Sequence, residues 1–292
     1  MPIALLETLD AYLDSAPRSS STVERIGPFS LFIGTGPWSY YARPAPGLGA
    51  DVDRADLAAV IARQRELAQA ETFEWVCELA PGLADLARAA GLQVRMLPLM
   101  ALTSPPPRMQ LAGLYARILE ADDTRLPAAV AAVDVGFACP GTALGPEGCG
   151  ARDRQIASIG GRIAVTRDLI RKGDALLVAV EAPCGPVAAG SALPRGPVAE
   201  LTGIATLPAW RRRGIGALVA AALASSVCER GARIAVLSAS DDTVARIYAR
   251  AGFTRVGTIG EASGASCEFV DELASENQAS QGRRTEGVVG LH

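Results

Sequence analysis

The chain has almost no histidine: its single imidazole belongs to His292, the last of 292 residues. A Ser-His-Asp triad needs histidine as its base, and many zinc sites use it as a ligand, so neither chemistry is indicated. None of the six cysteines stands in a C-x-x-C pair, which argues against a zinc ribbon or a thioredoxin-like motif. We therefore predict no metal site.

The chain also lacks an excess of basic over acidic residues, and it lacks long apolar runs. The net charge is −3, so no electrostatic footprint of a nucleic-acid partner is present. No apolar run reaches the roughly 18 residues that a membrane-spanning helix needs. Residues 1–20 carry acids and lack the basic lead of a signal peptide. We expect a cytoplasmic protein without a membrane partner, whose cysteines are small buried hydrophobes with free thiols: Cys77, Cys139, Cys149, Cys184, Cys228 and Cys267.

Length and proline content divide the chain in two. With 292 residues, of which 49% are hydrophobic, the sequence has material for two cores. The run Thr103–Arg108 contains three consecutive prolines, which interrupt helices and central strands, and it marks a linker. We predict domains over 1–105 and 109–271, followed by a polar, disordered tail over 272–292.

Apolar periodicity alternates between strands and helices through both halves. Residues 1–25 are interpreted as a short amphipathic helix and a Ser-rich joint, and 139–150 as a loop. Strands are predicted over 28–34, 72–76, 93–99, 114–119, 175–181, 187–193, 198–206, 233–238, 253–259 and 266–270. Helices are predicted over 51–69, 83–90, 215–230 and 242–251. Residues 153–171 are predicted to be mostly helical with a break at Gly160-Gly161, and a further helix is capped by 121–124 and ends near Phe137. The pattern predicts an α/β (α+β) fold, with a mixed sheet in each half.

The two halves of the chain contain one segment each that follows the same plan, which indicates an internal repeat. Residues 73–94 and 234–256 share a plan of strand, loop, helix, Ala-Gly-apolar and strand, which places Gly91 on Gly252. Two interpretations remain open: a duplication, or the general similarity of any two strand–helix–strand units.

The segment from Glu200 to Gly216 carries the strongest chemical signal. An apolar strand leads through Pro208 into Arg211-x-x-Gly214-x-Gly216, directly before a helix. Glycines allow close approach of the backbone, and the free N–H groups at a helix start favour an anion such as pyrophosphate. The segment is not a P-loop, since no Gly-Lys-Ser/Thr follows, and it lacks the third glycine of a dinucleotide fingerprint.

This segment resembles the central motif of the GNAT (GCN5-related N-acetyltransferase) superfamily, Arg/Gln-x-x-Gly-x-Gly/Ala. A second family signature is similar to Asp241, Tyr248, Gly252 and Phe253, one helix and one strand later. The resemblance covers about residues 110–271. The N-terminal half looks like a degenerate copy, in which Ala87 stands where Tyr248 would. The resemblance thus implies a tandem protein of two GNAT-like domains, each with a mostly antiparallel sheet flanked by helices.

The resemblance further implies transfer of an acetyl or longer acyl group from acyl-CoA to a primary amine of a small molecule or peptide. The implied cofactor-binding residues are Ile204, Ala205, Thr206, Arg211, Arg212, Arg213, Gly214, Ile215, Gly216, Ala217 and Asp241. Two departures stand out: Asp241 replaces the usual Asn, and Val236 replaces a glutamate of the ribosomal-protein acetyltransferases.

Two residues are the predicted catalytic groups. Tyr248 stands where the family keeps the acid that protonates the CoA thiolate; the alternative is a core aromatic. Glu200 is the candidate base, and the alternative is a solvated or Arg-paired strand residue. Strand alternation places Glu200, Thr202, Ile204 and Thr206 on one face. Two other functions stay open: an acyl-CoA-binding regulatory protein without catalysis, and a scaffold without cofactor.

Overall fold

The computed structural model describes residues 3–19, 21–34 and 41–264. The strands are β1 (Ser21–Ile26), β2 (Phe29–Gly34), β3 (Ala42–Pro44), β4 (Thr72–Val76), β5 (Gln93–Leu102), β6 (Tyr115–Leu119), β7 (Leu176–Ala182), β8 (Gly185–Arg195), β9 (Val198–Thr206), β10 (Ile234–Ser238) and β11 (Thr254–Ser263). The helices are α1 (Ile3–Ser15), α2 (Arg54–Glu66), α3 (Leu83–Ala89), α4 (Leu126–Ala138), α5 (Cys149–Gln155), α6 (Arg162–Lys172), α7 (Ile215–Glu229) and α8 (Asp242–Arg250). Cys267, the predicted strand 266–270 and the predicted tail 272–292 lie outside the described residues.

All of these strands belong to one sheet, in the order β1-β2-β3-β4-β11-β5-β10-β9-β8-β7-β6. Most neighbours run antiparallel, whereas β3 with β4 and β9 with β10 are parallel pairs. The predicted fold class, a mostly antiparallel mixed sheet flanked by helices, is confirmed. The sheet is continuous across the two halves, and the division into domains 1–105 and 109–271 stays a prediction.

The two repeats exchange their last strands. The unit β4–α3–β5 has the same plan as β10–α8–β11, yet β11 pairs with β4 and β5 pairs with β10. β5 and β11 lie side by side at the centre, where Leu97 faces Ile259 and Pro98 faces Thr258. When Gly91 is matched to Gly252, Leu97 corresponds to Thr258 and Pro98 to Ile259. A local two-fold axis therefore passes between these pairs, and each half completes the sheet of the other.

Helices cover both faces of the sheet. In β5, Leu99 and Ala101 pack under α1, whereas Met100 and Leu102 pack in the cluster of α7 and α8. We call these two sides the α1 face and the α7 face. α4 lies on the α1 face over β7 to β9, and α2 and α3 lie on the α7 face over β2 and β4. This two-sided burial explains why the central strands are apolar at nearly every position.

Local turns produce the main differences from the predicted elements. The expected Ser-rich joint contains β1, which forms a hairpin with β2 through Gly27 at φ +53°. Helix α5 begins at Cys149, inside the predicted loop 139–150. The predicted cap at 121–124 does not cap α4, which begins after Arg125 without a side-chain cap among the described residues. Instead, the Asp123 carboxylate accepts a hydrogen bond from the Arg125 N–H.

Cys149 and Cys184 form a disulfide bond, so the expectation of free thiols is wrong for this pair. The two residues are 35 positions apart, and the search for a C-x-x-C motif does not detect such a pair. Within the described ranges, Cys77, Cys139 and Cys228 are free and half-buried. No group of three or more potential metal ligands occurs in these ranges, and none of their helices is long and apolar enough to cross a membrane.

Candidate functional site

Two parallel strands part near the middle of the sheet. β9 pairs with β10 only where Val198–Glu200 face Ile234–Val236. Beyond Glu200, the β10 side of β9 has no ladder partner among the described residues. Main-chain groups of residues 201–206 therefore line an opening between the two strands, which we call the notch. Unpaired strand N–H and C=O groups can bind a chain that carries amides.

A β-bulge changes which side chains lie beside the notch. β9 shifts its register against β8 opposite Gly190, and Gly203 there has φ +62°. Because of the extra residue, Ile204 packs on the α7 face and Ala205 on the α1 face. The main chain of the predicted segment Ile204–Thr206 does lie along the notch. Glu200, Thr202, Ile204 and Thr206 were predicted to share one face of the sheet. This prediction is wrong beyond Thr202, because the bulge turns Ile204 to the other face.

The notch leads to the start of α7. Arg212 has φ +62° and Gly214 has φ +78°, and α7 begins at Ile215 without a side-chain cap among the described residues. Leu218 is the residue whose N–H bonds back to the Gly214 carbonyl. The N–H groups of Ile215, Gly216 and Ala217 come before this first helical hydrogen bond, so the helix itself offers them no carbonyl acceptor. We call residues 212–217 the cradle, because such a turn and the helix dipole together favour an anion.

The three arginines before α7 have different environments. Arg211 donates hydrogen bonds to four main-chain carbonyls: those of Thr206 (3.3 Å), Gly136 (2.8 Å), Cys139 (2.5 Å) and Ala143 (3.2 Å). Its guanidinium thus ties the end of α4 to the end of β9, and burial lowers its pKa. Arg213 is exposed and lies over the Trp210 ring, 4.8 Å from the centroid, and Arg212 is also exposed. Of the three, Arg212 and Arg213 are the ones that can extend their charges toward a ligand at the cradle.

Two further predicted cofactor residues have structural partners. The Asp241 carboxylate caps α8, accepting hydrogen bonds from the N–H groups of Thr243 (2.6 Å) and Val244 (2.8 Å). Asp and Asn cap helices about equally well, so this role is compatible with Asp241 in place of the Asn of the GNAT signature. At Gly216, an added Cβ would lie 3.5 Å from the Ile247 side chain, where α7 packs on α8.

Tyr248 and Glu200 lie on opposite sides of the sheet. Tyr248, on α8, is 8% exposed and packs in the α7-face cluster, with its ring 6.3 Å from that of Phe253. Glu200 is half-buried and alternates with Ala199 and Leu201 of that cluster, so its side chain is on the α1 face. Glu200 is also the last residue of β9 that pairs with β10. The notch therefore connects the sides on which the two predicted catalytic residues lie.

A charge network on the α1 face acts electrostatically on Glu200. The Arg43 side chain is fully buried and bonds to Asp10 of α1 (2.6 Å) and Glu74 of β4 (3.4 Å). Burial raises the pKa of Glu200 to about 8; the charge of Glu74 adds to this rise, and Arg43 opposes it. Burial also raises the pKa of Asp10, against the charge of Arg43. A carboxyl with such a pKa can accept a proton near neutral pH.

Helix α1 is held on this face by Tyr12. Its hydroxyl donates a hydrogen bond to the Leu193 carbonyl (2.7 Å) and accepts one from the Glu200 N–H (3.3 Å). Burial, followed by the charge of Glu200, raises the pKa of Tyr12 far above its ordinary value. Sequence reasoning did not identify this network, because Asp10, Tyr12, Arg43 and Glu74 lie on three separate elements without a shared motif.

The N-terminal half has a matching but different helix start. β3 and β4 form the other parallel pair, and α2 follows β3 as α7 follows β9. At α2, however, the Asp53 carboxylate accepts a hydrogen bond from the Asp56 N–H (2.9 Å), and the Asp56 carboxylate accepts one in return from the Asp53 N–H (3.3 Å). Two carboxylates thus occupy the position where α7 presents the open cradle.

The comparisons with known proteins agree with one another on the fold of this chain. The sequence pattern of the FR47-like protein family matches residues 185–259, which contain the notch, the cradle and Tyr248. No curated protein matches the chain significantly in sequence. The chain resembles the solved structure of a GCN5-related N-acetyltransferase from Kribbella flavida with a TM-score of 0.67 at 22% identity, over 91% of this chain and 98% of that one.

Two other solved structures give the same result. A GCN5-related N-acetyltransferase from Sphaerobacter thermophilus has a TM-score of 0.54 at 15% identity, over 89% of this chain and 90% of that one. A tandem GNAT protein from the clavulanic acid biosynthesis pathway has a TM-score of 0.50 at 18% identity, over 82% of this chain and 79% of that one. The resemblance to the GNAT superfamily is confirmed at the level of the fold.

Proposed function

From the GNAT fold of this chain and its FR47-like segment, we propose that it is an acyl-CoA-dependent N-acyltransferase. It would transfer an acetyl or longer acyl group to a primary amine of a small molecule or peptide. The observation that carries the proposal is that, within the part of the chain that the structure describes, residues 201–206 of β9 have no partner strand on the β10 side and lead through a short turn to the start of α7, which has no side-chain cap. A strand edge followed by an anion cradle matches a ligand with an amide-bearing arm and a pyrophosphate.

The residues at the notch and cradle fit acyl-CoA, which supplies a thioester carbonyl for attack by an amine. Main-chain groups of Ile204–Thr206 would bind the pantetheine amides, and the N–H groups of residues 212–217 would hold the pyrophosphate. Arg212 and Arg213 add charge-assisted donors. Arg211, also predicted to be cofactor-binding, would serve the site by fixing the loop and the strand end that precede the cradle.

Two proton transfers follow from the placement of the side chains. Glu200, with a pKa of about 8, would accept a proton from the acceptor ammonium on the α1 face. Tyr248 would donate its phenolic proton to the departing sulfur from the α7 face. Each group then works on its own side of the notch, so that the acyl group passes from sulfur to nitrogen between them.

The alternative function is an acyl-CoA-binding regulatory protein without catalysis. One observation favours it: α1 covers the face that holds Glu200, and Tyr12 bonds to the strand at Glu200 itself. In that case the cradle would bind acyl-CoA, but no amine would reach the thioester.

The N-terminal half would not provide a second site. Because Asp53 and Asp56 occupy the start of α2, an incoming phosphate there would meet two carboxylates. We therefore propose one acyl-CoA per chain, bound by the C-terminal half.

A coupled set of assays tests these proposals. Isothermal titration with CoA should give one site per chain, and acetyl-CoA with a panel of amines should release free thiol. Tyr248→Phe should reduce turnover by about 10²-fold or more while CoA binding is kept. Tyr115→Phe, which changes an exposed tyrosine on β6, is the matched control. Binding without turnover would favour the regulatory function, and absence of CoA binding would refute both.

A further inference from the structure

The disulfide lies next to a loop that contacts the residues leading into the cradle. Cys149 is the first residue of α5, and Cys184 lies in the turn of the β7–β8 hairpin. Cys184 is exposed and Cys149 is half-buried, so a small thiol reagent can reach the bond. The bond joins the start of α5, and with it the loop 139–148, to the turn between β7 and β8. We call that loop the α4–α5 loop.

A second contact holds the same two elements without covalent chemistry. Arg152 of α5 is 4% exposed. Its guanidinium donates to the carbonyls of Pro186 (2.6 Å) and Cys184 (2.9 Å) in the hairpin. Cleavage of the disulfide would therefore free the start of α5 at Cys149 and the loop before it, while Arg152 keeps the rest of α5 on the hairpin.

The α4–α5 loop is bonded to the residues that precede the cradle. The Gly145 N–H donates to the Pro208 carbonyl (3.3 Å), and the Glu147 carbonyl accepts from the Ala209 N–H (3.0 Å). From the other side, Arg211 donates to the carbonyls of Cys139 and Ala143 in this loop. The loop thus bonds to both ends of the segment 208–211, directly before the positive-φ turn at Arg212. These four hydrogen bonds couple the position of the loop to the segment that leads into the cradle.

We propose that Cys149 and Cys184 form a thiol–disulfide exchange site, at which a dithiol reductant weakens CoA binding by releasing the α4–α5 loop. The inference rests on the proposed function, since it requires that the cradle bind CoA. In a cytoplasmic protein, as the sequence predicts, such a disulfide would be reversible and not permanent.

The chemistry balances with a dithiol as the co-reactant. One thiolate of the reductant attacks the exposed Cys184 sulfur, and the Cys149 sulfur leaves with the bonding electron pair and takes up a proton. The second thiol of the reductant then displaces the Cys184 sulfur, which is protonated in turn. The reductant becomes a cyclic disulfide, having given two electrons to the cysteine pair.

The test compares CoA affinity in the two redox states of the full chain. Dithiothreitol is the dithiol, and alkylation followed by peptide mass spectrometry reports the state of each cysteine. We expect the reduced protein, Cys149→Ser and Cys184→Ser to bind CoA about five-fold more weakly or worse. The two variants should no longer respond to dithiothreitol. Cys77→Ser, in the N-terminal half, is the matched control and should behave as the unchanged protein.

Linkage supplies a second readout that does not depend on turnover. If reduction weakens CoA binding five-fold or more, CoA must make the disulfide harder to reduce by the same factor, about five-fold or more. Equal CoA affinity in both redox states, or free thiols at Cys149 and Cys184 after oxidation, would overturn the inference. Failure of CoA to bind in either state would instead refute the proposed function. Circular dichroism of the reduced protein checks that the fold persists.

Discussion

Replacement of Glu200 by glutamine should make the protein more stable at pH 8 but not at pH 5. The pKa of Glu200 rises from an ordinary 4.5 to about 8 in the folded state. Between these values the folded chain holds a proton that the unfolded chain has lost, so the free energy of unfolding falls as the pH rises. The slope is about 1.4 kcal/mol per pH unit, which gives an upper limit of about 5 kcal/mol over the whole window. A glutamine side chain at this position would resemble the protonated carboxyl and would not carry this cost.

Urea unfolding at pH 5 and pH 8 measures the effect directly. The chain contains one histidine, His292, so few other groups titrate between these values. Glu66→Gln, which changes a 64% exposed carboxylate on α2, is the matched control and should leave the pH dependence unchanged. Parallel pH profiles for the unchanged protein and Glu200→Gln would refute the assignment of a raised pKa to Glu200. If Glu200 is also the base, the variant gains stability and loses turnover.

Three further substitutions test the packing around the site. Arg43→Met removes the counter-charge of buried Asp10 and half-buried Glu74 and should cost about 3–5 kcal/mol in urea unfolding, whereas Arg63→Met, at a more exposed pair, should cost about 1 kcal/mol or less. A comparable loss of stability in both variants would contradict the stabilising role of the buried Arg43. Gly260→Ala would drive a methyl group into the Trp75 indole and should cost about 1–3 kcal/mol, measured by the same method. Gly214→Ala places a side chain at φ +78° and should lower stability by about 1–2 kcal/mol and weaken CoA binding in titration; unchanged binding would argue against the cradle.

The exchanged strands have a consequence for such experiments. β5 of the N-terminal half separates β10 from β11, and β11 separates β4 from β5. Neither half has a complete sheet without a strand from the other. Each variant is therefore best studied in the full chain, and substitutions in the N-terminal half, such as Arg43→Met, can alter the side of the notch that holds Glu200.

Local sequence determined most of the secondary structure and the position of the cradle. Strands β4 and β9 have the predicted bounds, and α7 begins at the predicted Ile215, after Gly214 at positive φ. These features depend on the alternation of apolar and polar residues in strands, on the periodicity of apolar residues in helices and on the conformational freedom of glycine. All three are properties of residues that are close together in the chain. The repeat at 73–94 and 234–256 was also visible, because it preserves a local plan.

Tertiary structure decided what the side chains of the site contact. Arg211 binds carbonyls of the α4–α5 loop and of α4, Asp241 caps a helix, and the bulge at Gly203 reverses the face of Ile204. The pKa of Glu200 depends on desolvation and on the charge of Glu74, which lies more than a hundred positions away. Burial, long-range hydrogen bonds, strand exchange and the disulfide all join residues that are distant in sequence, so no local pattern could predict them.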